Sequence, residues 1–374
     1  MTPVNPTLQR HSHPHYDFRK IDSYPAMIKI VVGGRGLGKT YGGKKKGIKA
    51  GIRAKKVMLD GRLNSTRQFM YVRRTVEELK AAKVTFFSDI ADEFPNHDLR
   101  IEGSLGMASE RVKRKPGEED KDFKRRVKER KWFVICHFKA LSVAQQQKST
   151  SFTYVTVMLF DEFIIEDSAQ NHYLKKEVEA LINLYNTVDR AQDKTTLFLF
   201  ANSVSIMNPY FSYFKIRPDQ LEEISIHAGG NIVCHFPDSA DYQQSIYATR
   251  FGKFIKDYMP EYAEYAVGNA FGDSHNTLVG NKTTEAKYKY TVETSEGSFS
   301  VWYDRHIGTY FILAFRPGNE RILTFVAANM GKGKIFVNYN EPLIKTLRYS
   351  FNHGKVIFDE PATRNAFVPI FDRS

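Results

Sequence analysis

Apolar runs alternate with longer helix-compatible stretches through the first half of the chain. The apolar runs predict buried strands at residues 27–32, 68–73, 132–138, 154–161 and 195–201. Helical patterns lie between them at residues 39–54, after the capping residue Thr75, and at residues 174–188, where apolar positions recur close to every 3.6 residues. Because strand and helix alternate, the sequence predicts an α/β fold with a parallel sheet.

The first strand runs directly into a glycine-rich turn that fits the pattern G-x-x-x-x-G-K-[ST] without a gap. Four glycines allow backbone N–H groups to approach phosphate oxygens, the lysine reaches the β- and γ-phosphates of ATP, and the threonine hydroxyl holds Mg²⁺. A strand before the turn and a helix after it favour this P-loop over a chance match. The predicted nucleotide-binding residues are Gly33, Gly34, Arg35, Gly36, Leu37, Gly38, Lys39 and Thr40.

Composition indicates a folded globular protein, with 42% hydrophobic and 13% aromatic residues in a chain of 374. No apolar run is long enough to cross a bilayer, and the polar N-terminus lacks the apolar core of a signal peptide. Its histidines, His11, His13 and His15, could be metal ligands, although a mobile polar arm is the favoured interpretation. Cys136 and Cys234 are the only cysteines, which fits a reducing cytoplasm.

The net charge of +13 and the pI near 9.4 favour a polyanionic partner, nucleic acid above all, over a generally basic protein without one. Residues 111–131 carry eleven Lys or Arg against five Asp or Glu and show no apolar period. We interpret them as an exposed, mobile insertion that contacts the phosphate backbone of DNA; a charged loop without a partner is the alternative. The candidate DNA-binding residues are Lys113, Arg114, Lys124, Arg125 and Arg126.

The strand at residues 154–161 ends in adjacent acids, Asp161 and Glu162, as a Walker B element does. Asp161 would position Mg²⁺, and Glu162 would orient and deprotonate the attacking water. A second Asp-Glu pair, at residues 359–360, follows a shorter run and is cut off by a proline, so the first pair is preferred. Arg73 and Arg74 end the second strand, where they could sense phosphate, grip DNA or lie on the solvated surface.

Two further positions are candidates for roles in hydrolysis. Asn202 ends the strand at residues 195–201 and could contact the γ-phosphate as a sensor; an ordinary turn residue is the alternative. Arg190 follows a predicted helix and could act in trans as an arginine finger in a ring of subunits, although taken alone it is more typical of a surface arginine.

The P-loop, with the segments at residues 71–80, 157–163 and 198–202, resembles the ATPase domain of viral large terminases. In size and layout the chain is similar to the packaging ATPases of small phi-29-type tailed phages, and the resemblance covers roughly residues 25–205. It implies an additional-strand, catalytic-glutamate (ASCE) P-loop ATPase that uses ATP and Mg²⁺ to drive double-stranded DNA into a preformed capsid.

The resemblance also implies a homo-oligomeric ring, a pentamer, at the capsid portal or connector in the host cytoplasm, with no membrane partner. In that ring Lys39 and Thr40 bind nucleotide and Mg²⁺, with Lys39 in the catalytic set, and Asp161 is the Walker B acid. Glu162 is the catalytic base, Asn202 the sensor and Arg190 a neighbour's finger.

The predicted domains are an ATPase domain at residues 1–205, a linker domain at 206–240, and a smaller α/β domain at 241–374. By resemblance the last is an RNase H-like vestigial nuclease that docks on the capsid and, in some members, on a packaging RNA. Its visible strand-borne acids, Asp304 and Asp359, are fewer than a two-metal nuclease needs.

Three alternatives stay open at this point. The chain could be a HerA/FtsK-like DNA pump or a helicase without a capsid, or a terminase-type protein with an active C-terminal nuclease. It could also be a nucleotide-dependent regulatory switch, but a switch does not need a dedicated base such as Glu162.

Overall fold

The computed structural model describes residues 16–147, 152–165, 172–202, 208–216, 223–237, 240–259, 263, 278–294, 297–318, 321–324, 334–336 and 341–372. The chain forms two compact units. Unit 1 comprises residues 1–163, 179–203 and 223–270, and unit 2 comprises residues 164–178, 204–222 and 271–374. Among the described residues, no helix is both long enough and apolar enough to cross a membrane.

The strands in chain order are β1 (Ile28–Val32), β2 (Lys56–Leu59), β3 (Arg62–Arg73), β4 (His97–Glu102), β5 (Leu105–Glu110), β6 (Phe133–Ala140), β7 (Val155–Asp161), β8 (Thr196–Ala201), β9 (Ile224–His227), β10 (Ile232–His235), β11 (Lys287–Thr294), β12 (Gly297–Asp304), β13 (Thr309–Leu313), β14 (Ile322–Thr324), β15 (Lys334–Phe336) and β16 (Val356–Phe358). The helices are α1 (Arg19–Asp22), α2 (Lys39–Arg53), α3 (Val76–Thr85), α4 (Asp120–Glu129), α5 (Glu177–Asp189), α6 (Pro209–Phe214), α7 (Ala240–Tyr247), α8 (Arg250–Tyr258), α9 (Pro342–Asn352), α10 (Pro361–Phe367) and α11 (Pro369–Asp372).

Unit 1 is built on one mixed sheet whose strand order is β4-β5-β6-β3-β7-β8-β1-β10-β9, with β2 paired to β3. The six central strands, which are β6, β3, β7, β8, β1 and β10, are parallel to one another. The strands on either side of them, β5 and β9, pair in the antiparallel sense. Every residue of β1 is buried, as expected for a parallel strand covered on both faces. The carboxyl ends of β3, β7, β8 and β1 therefore meet at one edge of the sheet.

Helix α2 packs against the sheet through a stripe of glycines at every fourth position, Gly43, Gly47 and Gly51. A Cβ atom on these residues would lie 2.7 Å from Phe200, 2.6 Å from Phe69 and 2.9 Å from Ile135. Glycine weakens an isolated helix, but here it allows the P-loop helix to approach the sheet closely.

The α/β fold and the six parallel strands at the centre of its mixed sheet confirm the prediction from the sequence. Each predicted strand of the first half lies within two residues of an observed one or inside it. The sheet also extends past residue 205, the predicted end of the ATPase domain. Strands β9 and β10, which lie in the predicted linker, join it because Ile232–His235 pairs in parallel with β1. The insertion at residues 111–131 is exposed, as predicted, but it contains helix α4, whose apolar residues Phe123 and Val127 are four positions apart.

Unit 2 contains a second mixed sheet with the strand order β15-β14-β11-β12-β13-β16. Strands β11, β12 and β13 form an antiparallel meander, whereas β14 pairs in parallel with β11 and β16 in parallel with β13. One face of this sheet is covered by α9, α10 and α11, and the shared core includes Val292, Val301, Leu347, Phe367 and Phe371.

Candidate nucleotide site

The P-loop connects β1 to α2 at the carboxyl edge of the large sheet. Gly36 and Gly38 have φ angles of +86° and +79°, which other residues rarely adopt. Lys39 begins α2 and is almost completely buried, and its Nζ donates to the carbonyl oxygens of Gly33 at 2.8 Å and Gly34 at 2.9 Å. Burial lowers the pKa of the Lys39 ammonium to about 8, although the charge of Asp161 opposes this shift.

Two tyrosines outside the motif support the P-loop. The Tyr242 hydroxyl donates to the carbonyl oxygen of Arg35 at 2.8 Å, and the backbone N–H of Tyr16 donates to the carbonyl oxygen of Leu37, also at 2.8 Å. A Cβ on Gly36 would lie 2.2 Å from the Tyr242 hydroxyl oxygen. A side chain at this position would have to displace the Tyr242 hydroxyl and adopt the φ of +86°, so glycine is favoured.

Asp161 ends β7 beside the P-loop and is shared by three donors. Oδ1 accepts from the Thr40 hydroxyl at 2.6 Å, and Oδ2 accepts from the Tyr71 hydroxyl at 2.9 Å and from Arg73 Nη1 at 3.4 Å. Burial, with the charge of Asp161, raises the pKa of the Tyr71 hydroxyl well above its ordinary value, so that Tyr71 stays a donor. Sequence reasoning missed Tyr71, although its spacing of two from Arg73 places both on one face of β3.

Glu162 follows Asp161 in a left-handed conformation, with φ at +57°. Its carboxylate accepts from Arg73 Nη2 at 2.6 Å. Its backbone carbonyl accepts from Arg74 Nη1 at 3.2 Å, and Arg74 Nη2 donates to the carbonyl of Phe163 at 2.9 Å. Arg74 is only 2% exposed, and the Arg73 side chain is 11% exposed. The interpretation of these two arginines as solvated surface residues is therefore wrong.

One cavity of about 320 Å³ brings the P-loop, the two acids and Asn202 together. Asn202 follows β8 at the same sheet edge, and its Oδ1 lies 3.4 Å from Lys39 Nζ. The cavity thus combines a buried cation, a phosphate-type glycine nest and two carboxylates, which is the chemistry that a nucleoside triphosphate requires. Its lining residues are Arg35, Gly36, Gly38, Lys39, Thr40, Tyr41, Asp161, Glu162, Ala201 and Asn202.

Arg190 does not line this cavity. It is exposed and directly follows α5, in a turn whose backbone N–H groups at residues 192–195 donate to Asp189. The turn leads into the amino end of β8, whereas Asn202 follows its carboxyl end. Arg190 is thus separated from the cavity of its own chain by the length of β8, about 20 Å.

The basic segment divides into paired and unpaired cations. Arg126 Nη1 lies 2.6 Å from Glu118 and Arg125 Nη2 lies 3.0 Å from Asp122, while Arg114 pairs with Asp120. The ammonium groups of Lys113 and Lys124 have no ion-pair partner among the described residues. Lys113 lines a groove of about 780 Å³ between α4 and strands β2, β3, β5 and β6. The other lining residues are Lys56, Leu63, Ser109, Glu110, Arg111, Val112, Arg126, Glu129, Arg130, Lys131 and Phe133.

The two acids considered for a nuclease lie far apart in unit 2. Asp304 ends β12 and is paired with Thr309, the first residue of β13. Asp359 directly follows β16, whose last residue is paired with Ile312 near the end of β13. They are separated by about 13 Å along the strand and by two strand spacings across the sheet. Asp304 caps a turn, accepting from Thr283 at 2.6 Å and from the His306 N–H at 2.8 Å. The described residues contain no cluster of three or more potential metal-ligating His, Cys, Asp or Glu side chains.

Comparisons with known proteins identify the family of this chain. The family profile of the podovirus DNA encapsidation protein (Gp16) matches residues 11–115 and 112–373. The DNA packaging protein of Bacillus phage PZA is 30% identical over 362 residues, covering 95% of this chain and 96% of that protein. The DNA packaging protein of Bacillus phage B103 is 30% identical over 354 residues, covering 94% and 98%.

A solved structure described as the bacteriophage Phi-29 viral genome packaging motor assembly aligns with a TM-score of 0.55 at 27% identity, over 96% of this chain and 98% of that one. A structure of the Phi-28 gp11 DNA packaging motor has the same TM-score of 0.55 at 17% identity, over 96% and 97%, and shares the fold. Since the family profile and the relatives span nearly the whole chain, the chain belongs to the podovirus DNA encapsidation protein (Gp16) family.

Proposed function

We propose that this protein is an ATP-driven double-stranded DNA translocase that packages a phage genome into a preformed capsid. The observation that carries the proposal is the single cavity that combines Lys39, Thr40, Asp161, Glu162 and Asn202. Family membership supports the packaging role, because the relatives are DNA packaging proteins.

The nucleotide fits the cavity through its phosphates. The P-loop N–H groups and Lys39 bind the β- and γ-phosphates, and Lys39 exchanges two carbonyl acceptors for phosphate oxygens. Thr40 and Asp161 fit Mg²⁺, since their oxygens lie 2.6 Å apart and this cation prefers oxygen ligands and uses few protein groups besides phosphate. The ion supplies positive charge that neutralises the phosphates.

Hydrolysis requires a base that faces the attacking water. Glu162 takes the proton of that water while the water oxygen bonds to the γ-phosphorus and the bond to the bridging oxygen of ADP breaks; ADP and phosphate are the products. In this proposal Asn202 is the sensor that responds to the loss of the γ-phosphate; the distance of 3.4 Å between its Oδ1 and Lys39 Nζ supports the assignment.

Arg190 acts only in trans in this proposal, because it lies at the opposite sheet edge from its own chain's cavity. An arginine finger from a neighbour stabilises the charge of the transition state. That role requires a homo-oligomeric ring, for which the structure of the related motor assembly offers support. A pentameric ring on the capsid portal in the host cytoplasm is part of the same proposal.

DNA contact is assigned to the basic segment, with Lys113, Arg114, Lys124, Arg125 and Arg126 as its candidates. Lys131, which lines the groove beside α4, is added to these candidates because its ammonium group has no ion-pair partner among the described residues either. Phosphate contacts of this kind grip DNA without reading its sequence, as a packaging motor needs.

Unit 2 is proposed to be a vestigial RNase H-like domain that docks on the portal and, where one is used, on a packaging RNA. The meander β11-β12-β13 with β14 parallel to β11 supports this fold, and the distance between Asp304 and Asp359 argues against an active nuclease.

Packaging itself is the test of the proposal. Procapsids, genome-length DNA and ATP are mixed with the protein, and DNA protected from added nuclease is measured. We expect protected DNA with the intact chain and none with Lys39→Ala. Protection that is unchanged in Lys39→Ala would overturn the proposal.

A further inference from the structure

The turn that follows α5 is built on one carboxylate. Asp189, the last residue of the helix, is 3% exposed and accepts four backbone N–H groups. Its Oδ2 accepts from Gln192 at 3.0 Å and from Asp193 at 3.1 Å. Its Oδ1 accepts from Lys194 at 3.0 Å and from Thr195 at 2.9 Å. Although burial opposes its charge, these four donors hold the pKa of the Asp189 carboxyl below its ordinary value.

The backbone of this turn is strained. Arg190, Ala191 and Asp193 have φ angles of +55°, +54° and +50°, in the left-handed region that favours glycine. Helices commonly end with a glycine at the position that Arg190 occupies. Strained backbone of this kind persists only where its surroundings enforce it, and it is concentrated at functional sites. The hydrogen bonds of the Asp189 carboxylate enforce it here.

The far end of the turn is fixed as well. The Tyr185 hydroxyl donates to the carbonyl oxygen of Thr195 at 2.9 Å, and the Thr195 hydroxyl donates to the carbonyl oxygen of Val155 at 3.2 Å. Lys194 Nζ donates to the carbonyl oxygen of Thr153, also at 3.2 Å. The turn is therefore held by α5 and by the start of β7.

The cation that this turn carries is not used by its own fold. The Arg190 side chain is exposed, and no carboxylate of the described residues forms an ion pair with its guanidinium. A fixed backbone thus presents an unpaired arginine at the sheet edge opposite the cavity of its own chain.

We propose that Asp189 is a positioning residue, which builds the turn so that Arg190 meets the cavity of a neighbouring subunit with its backbone already fixed. A group that is fixed before the reaction loses less conformational freedom in the transition state. The inference rests on the proposed function, in which Arg190 acts in trans, and adds the residue on which that role depends.

Steady-state ATP hydrolysis with double-stranded DNA tests the inference on the full-length chain. Asp189→Asn is nearly isosteric, but it removes the charge and one acceptor oxygen and sets an NH₂ group against backbone donors. We expect kcat to fall about tenfold with KM for ATP within about twofold, because the chain's own cavity is intact. Asp193→Asn, the same change at an exposed residue of the turn, is the matched control and should leave kcat unchanged.

Two further measurements separate positioning from a loss of stability. Asp189→Asn combined with Arg190→Ala should be no slower than Arg190→Ala alone, because Asp189 acts only through Arg190. Asp189→Asn chains mixed equally with Glu162→Gln chains should recover hydrolysis at about one quarter of the interfaces. Asp189→Asn chains mixed with Arg190→Ala chains should recover none, since both changes damage the finger.

Two results would overturn the inference. One is a kcat for Asp189→Asn equal to that of the intact chain. The other is an Asp189→Asn chain that Glu162→Gln chains do not restore, although they restore Arg190→Ala. Thermal melting checks that the variant folds. If it does not, Asp189→Ser takes its place, because its hydroxyl still accepts from the turn, and the same fall and recovery are expected.

The inference and the proposed function fail in distinguishable ways. An intact chain that hydrolyses no ATP, with or without DNA, would refute both. If Arg190→Ala hydrolyses ATP as the intact chain does, the trans role and the inference fail while the ATPase stands. If Arg190→Ala is slow and Asp189→Asn is not, the inference alone fails.

Discussion

The Thr40 hydroxyl donates to Asp161 Oδ1 at 2.6 Å, joining two motifs that are 121 residues apart in the chain. The contact exists because β1 and β7 both end at the carboxyl edge of the sheet, separated by β8. It places two oxygen donors where the phosphates of a nucleotide in the P-loop would carry Mg²⁺.

Asp161→Asn should separate metal-dependent from metal-independent nucleotide binding. The amide keeps one acceptor oxygen, enough for either Thr40 or Tyr71, and loses the charge that favours Mg²⁺. We therefore expect affinity for a fluorescent ATP analogue to fall about tenfold or more with Mg²⁺ present. In EDTA the same variant should bind as the intact chain does. Tyr71→Phe is the control, since it removes only the hydroxyl. Equal losses with and without Mg²⁺ would contradict a metal-binding role for Asp161.

Gly47→Ala should destabilise the protein, although alanine is the better helix former. A Cβ at this position would lie 2.6 Å from Phe69, whose ring is completely buried. Overpacking outweighs the gain in helix propensity, and we expect a net loss of about 1–2 kcal/mol in the free energy of unfolding. Urea unfolding measures it, with Lys49→Ala on the exposed face of α2 as the control. A stabilised Gly47→Ala would show that α2 does not pack this closely.

The groove lysines should contribute to DNA affinity independently of DNA sequence. Replacing Lys113 and Lys131 with Gln removes two unpaired cations, so we expect the slope of log Kd against log salt to fall by about 2 units. A second double variant, Lys124→Gln with Lys128→Gln, changes two lysines of α4 that do not line the groove. Comparing the salt slopes of the two double variants tells whether the groove or the helix faces the DNA. An unchanged slope in both double variants would remove the segment from the DNA path.

Arg190 and Glu162 should complement each other across subunits. Arg190→Ala chains retain an intact cavity, and Glu162→Gln chains retain an intact finger, so equal mixing should restore hydrolysis at about one quarter of the interfaces. A mixture of Lys39→Ala and Glu162→Gln chains is the control, because both changes damage the cavity and no interface recovers. Failure of the first mixture to recover would refute the trans role of Arg190.

The sequence predicted the P-loop, the acid pair and the parallel sheet because each follows from a local pattern. The pattern G-x-x-x-x-G-K-[ST] between a strand and a helix fixes the cradle, and strand polarity brings Asp161 and Asn202 to the same edge. The partners of Arg73 and Arg74 could not be predicted, since they depend on β3 lying beside β7 and on which face each side chain takes.

Two departures from the prediction have different causes. Residues 232–235 form only a short apolar run, and nothing local indicates that they pair with β1, which is about two hundred residues earlier. Helix α4 contains only two apolar residues among many charged ones, so its sequence shows no helical periodicity of apolar positions. Only the pairing of residues 232–235 depends on a neighbour that is distant in the sequence.

Steady-state ATP hydrolysis by the intact chain and by Glu162→Gln, each with and without double-stranded DNA, tests the central claim most directly. A DNA-dependent motor with Glu162 as its base predicts turnover that DNA stimulates and that the substitution abolishes, while nucleotide binding persists. Turnover that ignores DNA, or that survives in Glu162→Gln, would contradict the account.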